Sequence, residues 1–110
     1  MRIFLAVAFM VMFTVNANAK FLDGNTLQDW CFSEDAGNQA ACLGYVIGVA
    51  DVLISEKSGE LTQYKACIPA IETTQVVDTA KQYLDTHRQS GDITASDLVA
   101  MALSEAFPCP

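Results

Sequence analysis

An apolar run from Ile3 to Val15 opens the chain, with Arg2 before it and Ala17-Asn18-Ala19 after it. A short positive start, an apolar stretch below the roughly 20 residues of a membrane span, and small residues two apart form the pattern behind which signal peptidase cuts. Residues 1–19 therefore read as a secretory signal peptide and residues 20–110 as the mature domain. In that domain hydrophobic positions recur with helical period in four segments, and nowhere with a sustained period of two. The expected fold is all-α, a small bundle of about four helices.

The first helical segment is short. Thr26 is its expected cap, with Asp29 three positions on and Leu27, Trp30 and Cys31 on the apolar side. The polar stretch Ser33 to Asn38 ends it. The second segment, from about Gln39 to Ser55, carries the strongest pattern. Leu43, Ile47, Ala50 and Ile54 fall at steps of four, three and four, widened by Val46 and Leu53. Gly44 and Gly48 lie on an adjoining face, followed by Asp51. Each glycine costs up to about 1 kcal/mol against alanine inside a helix, so close approach of another helix is the expected compensation. Residues 56–65 (EKSGELTQYK) form a polar connection too long for a tight turn. Cys67-Ile68-Pro69 then sets an extended entry.

A third helix spans about Thr74 to Thr86, capped by Thr73 or Thr74, with Val76, Ala80 and Tyr83 on one face and Val77 and Leu84 beside them. Residues 89–92 make a turn. Thr94 to Asp97 resembles a capping box, after which Leu98, Val99, Ala102, Leu103, Ala106 and Phe107 form the last stripe. Pro108 stops that helix.

Composition narrows the picture. Of 110 residues 13 are acidic and six basic; cleavage of the signal removes Arg2 and leaves five basic residues, a net charge of −8. Such a surface repels phosphate backbones, so nucleic acid is not an expected partner, whereas a basic protein suits it. Once the signal is gone, no membrane partner is expected. The four cysteines, Cys31, Cys42, Cys67 and Cys109, all fall in the mature part. An even count in a small exported domain reads as two disulfides. Cys31–Cys42 with Cys67–Cys109 is the preferred pairing, and the other two connectivities remain open. Each bond adds a few kcal/mol by constraining the unfolded chain.

The residues offer little chemistry. No Cys-x-x-Cys pair exists and the single histidine, His87, stands beside Arg88 in a polar run, so neither a metal site nor a thiol–imidazole pair is expected. His87 reads as a solvated residue at a helix end. No phosphate-cradling glycine loop is present. The expectation is a binding protein without a cofactor, not an enzyme.

Four blocks in this order and spacing, CLGYVIGVADVL at 42–53, CIP at 67–69, QVVDTAKQYLDTH at 75–87 and LVAMALSEAFPC at 98–109, resemble the Rap/Tai family of type VI secretion immunity proteins. The sequence departs from the family at Ala70-Ile71-Glu72, where a glycine-containing stretch is usual. The resemblance implies a periplasmic, disulfide-bonded helical protein, often a homodimer. It also implies a partner: a peptidoglycan-cleaving amidase effector delivered by sibling cells, which such a protein binds and blocks. In related complexes a loop of the immunity protein enters the amidase cleft. By position the corresponding segment here is 56–65, where Lys57 and Glu60 suit charged hydrogen bonds and Leu61 and Tyr64 suit anchoring in a pocket. The competing reading is a periplasmic acid-stress chaperone, against which four cysteines and few lysines count.

Overall fold

The computed structural model describes residues 21–55 and 57–110; the proposed signal segment, residues 1–19, lies outside them. Five helices follow one another: α1 (Gly24–Cys31), α2 (Ala36–Ile54), α3 (Ser58–Leu61), α4 (Thr73–Thr86) and α5 (Ala95–Ala106), with a 3-10 turn at Arg88–Ser90. No strand forms among the described residues, and all six pairings of the four longer helices are in contact. The all-α bundle is as the periodicity predicts.

Three helix starts are set by acidic residues, one to three positions earlier than expected. Asp23, not Thr26, caps α1: its carboxylate accepts the Thr26 N–H at 2.9 Å, which makes Thr26 the third helical residue. Asp35 does the same for the Asn38 N–H at 2.9 Å, so α2 begins inside the polar stretch at Ala36. Glu72, not Thr73 or Thr74, is the cap residue of α4, and the Gln75 side chain accepts the Glu72 N–H at 3.0 Å. A short carboxylate reaching back to free N–H groups satisfies donors that the first turn leaves without partners. Thr94 holds the cap position of α5 as expected, without a side-chain bond. Phe107 ends α5, its N–H bonded to Leu103 O at 2.9 Å.

The buried face of α2 is turned by about one residue from the expected stripe. Cys42, Val46, Ala50 and Leu53 face the core, whereas Leu43 and Ile54 are 42% and 56% exposed. The helix is apolar nearly all round, so period alone does not single out a face; the bond from Cys42 to Cys31 fixes the rotation. Gly44 and Gly48 also differ from expectation. Both face outward, with nothing within 4 Å of an added Cβ. Asp51 beside them is exposed.

Leu27, Val46, Ala80, Leu84, Leu98, Val99 and Leu103 are fully buried where the helices meet. Ala106, expected on the last stripe, is exposed, and Tyr83 is half-buried. Two disulfides close the fold, Cys31–Cys42 between α1 and α2 and Cys67–Cys109 between the segment before α4 and the C-terminus, each with Cα atoms 5.0 Å apart. The start of the described chain is sewn to the turn before α5. Gly24 N–H bonds to Ile93 O at 2.7 Å, Asn25 N–H to Gly91 O at 2.8 Å, and Ala95 N–H to Leu22 O at 2.9 Å. This close approach requires glycine at position 24, where a Cβ would run into the Leu98 side chain and stand 3.1 Å from Gly91 Cα.

Candidate binding site

Residues 57–66 leave the end of α2 and cross towards the C-terminus. Residues 56–65 were expected to be a polar connection and the candidate binding segment. Within them Ser58–Leu61 forms one helical turn, closed by Thr62 N–H to Ser58 O at 2.9 Å. A single turn is too short to register as periodicity. It sorts the four candidate residues. Lys57 and Glu60 are exposed, and Leu61 stands out at 64% exposure despite being apolar. Tyr64 is placed differently: it is partly buried and packs against the core, and its N–H is accepted by Thr62 Oγ1 at 3.2 Å. Three residues therefore share an outward position, and the fourth fastens the segment to the bundle.

Leu61 stands at the mouth of a groove of about 240 Å³ between α2, α3 and α5. Val49, Val52 and Ala100 give it an apolar lining, and Ser96 and Asp97 a polar rim. Sequence reasoning did not pick these residues. Their signal was the breadth of apolar character on α2, which leaves Val52 42% exposed. Tyr45, alongside, has its phenol pKa raised: burial disfavours the phenolate, hydrogen bonding by Ser96 opposes that, and the Asp97 charge adds to it.

His87 is not the freely solvated residue expected. It ends α4 half-buried, its ring stacked on Tyr83 with centroids 3.8 Å apart. Its Nδ1 lies 2.8 Å from Tyr83 O and 2.9 Å from Thr86 Oγ1. The phenol of Tyr83 is itself raised in pKa, first by burial, then by the charges of Glu105 and Tyr64. On the far side of α4, Phe32 lies under two cations, with Arg88 4.7 Å and Lys81 5.6 Å from the ring centroid. All four cysteines are in disulfides, so none offers a thiolate nucleophile in this state. Among the described residues no three His, Cys, Asp or Glu side chains gather as metal ligands would.

What the site offers is a projecting segment with one apolar and two charged side chains, next to an apolar groove. This arrangement suits contact with a partner surface. A family model for the Rap1a immunity proteins matches residues 23–109. No curated protein matches the chain.

Proposed function

The chain belongs to the Rap1a immunity protein family, and from that premise we propose that it neutralises a type VI secreted peptidoglycan amidase by laying residues 57–65 across the enzyme's cleft. The observation that carries this reading is Leu61, a large apolar side chain 64% exposed at the end of α3 between Lys57, Glu60 and an apolar groove. Interfaces draw most of their energy from a few such anchors rimmed by polar groups. Two disulfides support an oxidising compartment, here the periplasm, with residues 1–19 as the cleaved export signal. The acidic chain, net −7 before cleavage, favours encounter with a basic partner.

The test uses a peptidoglycan amidase effector of the producing bacterium, sought first in the adjoining reading frame, with calorimetric binding and peptidoglycan hydrolysis as readouts. Leu61→Ala is expected to weaken binding about tenfold or more, the loss of one interface anchor, while the thermal midpoint stays unchanged. Tyr64→Ala is a poorer probe, because Tyr64 also packs on the core. Undiminished inhibition by Leu61→Ala would remove the segment from the interface.

The same protein is proposed to pair with a second copy through the outer face of α2. Gly44 and Gly48 there carry a helix cost of up to about 1 kcal/mol each with nothing in the fold occupying the space they leave. Leu43 and Val52 flank them exposed. Sedimentation across a concentration series distinguishes monomer from dimer.

A further inference from the structure

The two disulfides differ in access. Cys31 and Cys42 are 3% and 2% exposed, whereas Cys67 and Cys109 both lie at the surface. An open groove of about 310 Å³ runs to the second bond, lined by Ser55, Ser58, Lys65, Cys67 and Cys109 among others. A small dithiol can enter it. Lys65 lines the same groove, as Lys81 lines the smaller pocket of about 140 Å³ over Cys31 and Cys42, so it is the exposure of the sulfurs and not a neighbouring cation that separates the two bonds.

The exposed bond also holds something particular. One end of the 57–66 segment is fixed by α2. From Thr62 to Ile71 the chain forms no helix. Among the described residues, past the Thr62 N–H that closes α3, the backbone hydrogen bond from this stretch to another part of the fold is Cys67 N–H to Phe107 O at 2.8 Å. Buried Ala66 and partly buried Tyr64 and Ile68 supply the remaining anchorage. The covalent tie at Cys67 is therefore the principal restraint on the far end of the segment.

We propose that Cys67–Cys109 is a redox-controlled fastener of the binding segment: a dithiol opens it while Cys31–Cys42 stays closed, and opening frees residues 57–66 without unfolding the bundle. In the reaction one thiolate of the dithiol attacks one sulfur, and the other cysteine leaves as a thiolate and takes up a proton. The second thiol of the reagent then displaces the first cysteine. The protein gains two electrons and two protons, and the dithiol becomes a disulfide. A loosened segment must be ordered again on binding, which weakens the complex, so oxidation arms the protein. This last consequence rests on 57–65 being the binding segment; the opening itself does not.

The experiment treats the oxidised protein with dithiothreitol, quenches with N-ethylmaleimide and maps labelled cysteines against time. Cys67 and Cys109 are expected to be labelled about tenfold or more faster than Cys31 and Cys42, as access to attack dictates. In the singly opened form, trypsin is expected to cut after Lys57 and Lys65 about tenfold or more faster than in the oxidised protein, with Lys81 in α4 still protected. Simultaneous labelling of all four cysteines, or equal acceleration at Lys81, overturns the proposal. Binding of the amidase effector separates it from the functional reading. If the oxidised protein does not bind, that reading fails while the mapping stands or falls alone. If oxidised and singly opened forms bind equally, the reading survives and the control does not.

Discussion

Gly44 and Gly48 project into open space, whereas Gly24 stands where an added Cβ meets Leu98 and the backbone of Gly91. The same substitution should therefore act in opposite directions. Gly44→Ala and Gly48→Ala are each expected to stabilise the isolated monomer by about 0.5–1 kcal/mol, the usual helix cost of glycine. Gly24→Ala is expected to destabilise it by about 1–3 kcal/mol, since Leu98 must move and the backbone cannot. Urea midpoints at low protein concentration measure both. At high concentration the sign at Gly44 and Gly48 should reverse if a second copy occupies that face. The glycine pair was visible in the sequence as a cost needing compensation. Where the compensation lies was not, because spacing along one helix does not say which side of it another helix covers.

Helices themselves were legible, their ends and rotations less so. Pro108 and the helically spaced apolar positions of α5 placed that helix well, because proline and a one-sided stripe both have a single reading. α2 is apolar around most of its circumference, so a stripe through Leu43 and Ile54 looked as good as the one through Cys42, Val46 and Leu53 that is buried. It is also long and apolar enough, by length and composition alone, to cross a membrane. Threonines drew the expected caps, yet Asp23 and Glu72 lie just outside and take the role. At the entrance of α4, Gln75→Ala removes the acceptor of the Glu72 N–H and should cost about 1 kcal/mol, in the range of lost helix caps; a shift in urea midpoint without a change in slope checks it. Of the segment proposed to bind, the exposed charges of Lys57 and Glu60 were legible. The helical turn that splits Leu61 from Tyr64 was not, since four residues carry no period.

For the molecule as a whole, the raised phenols of Tyr45 and Tyr83 give a pH dependence with a definite sign. Both are held above the ordinary tyrosine value of 10.0, chiefly by burial. A group whose pKa is higher folded than unfolded favours the native state below the unfolded pKa and loses that contribution as pH rises through the folded one. Stability should therefore fall above about pH 10, where free tyrosine ionises. Tyr45→Phe should flatten that alkaline limb, as thermal midpoints across the pH range will show. The disulfides set the other global contribution. In the chain-entropy account the shorter closure contributes about 3 kcal/mol and the longer about 4 kcal/mol, for loops spanning 11 and 42 residues. Loss of Cys31–Cys42 by Cys31→Ala with Cys42→Ala should therefore lower the urea midpoint substantially and loosen α1 from α2.

Sulfur pairing runs in chain order, first cysteine with second and third with fourth. For a chain that meets an oxidant from its N-terminal end, each thiol's proper mate is the next to arrive. No mismatched bond has to form and then be undone. On the proposed export route, maturation would then call for an electron acceptor more than for an isomerase, which refolding with and without a disulfide isomerase would check.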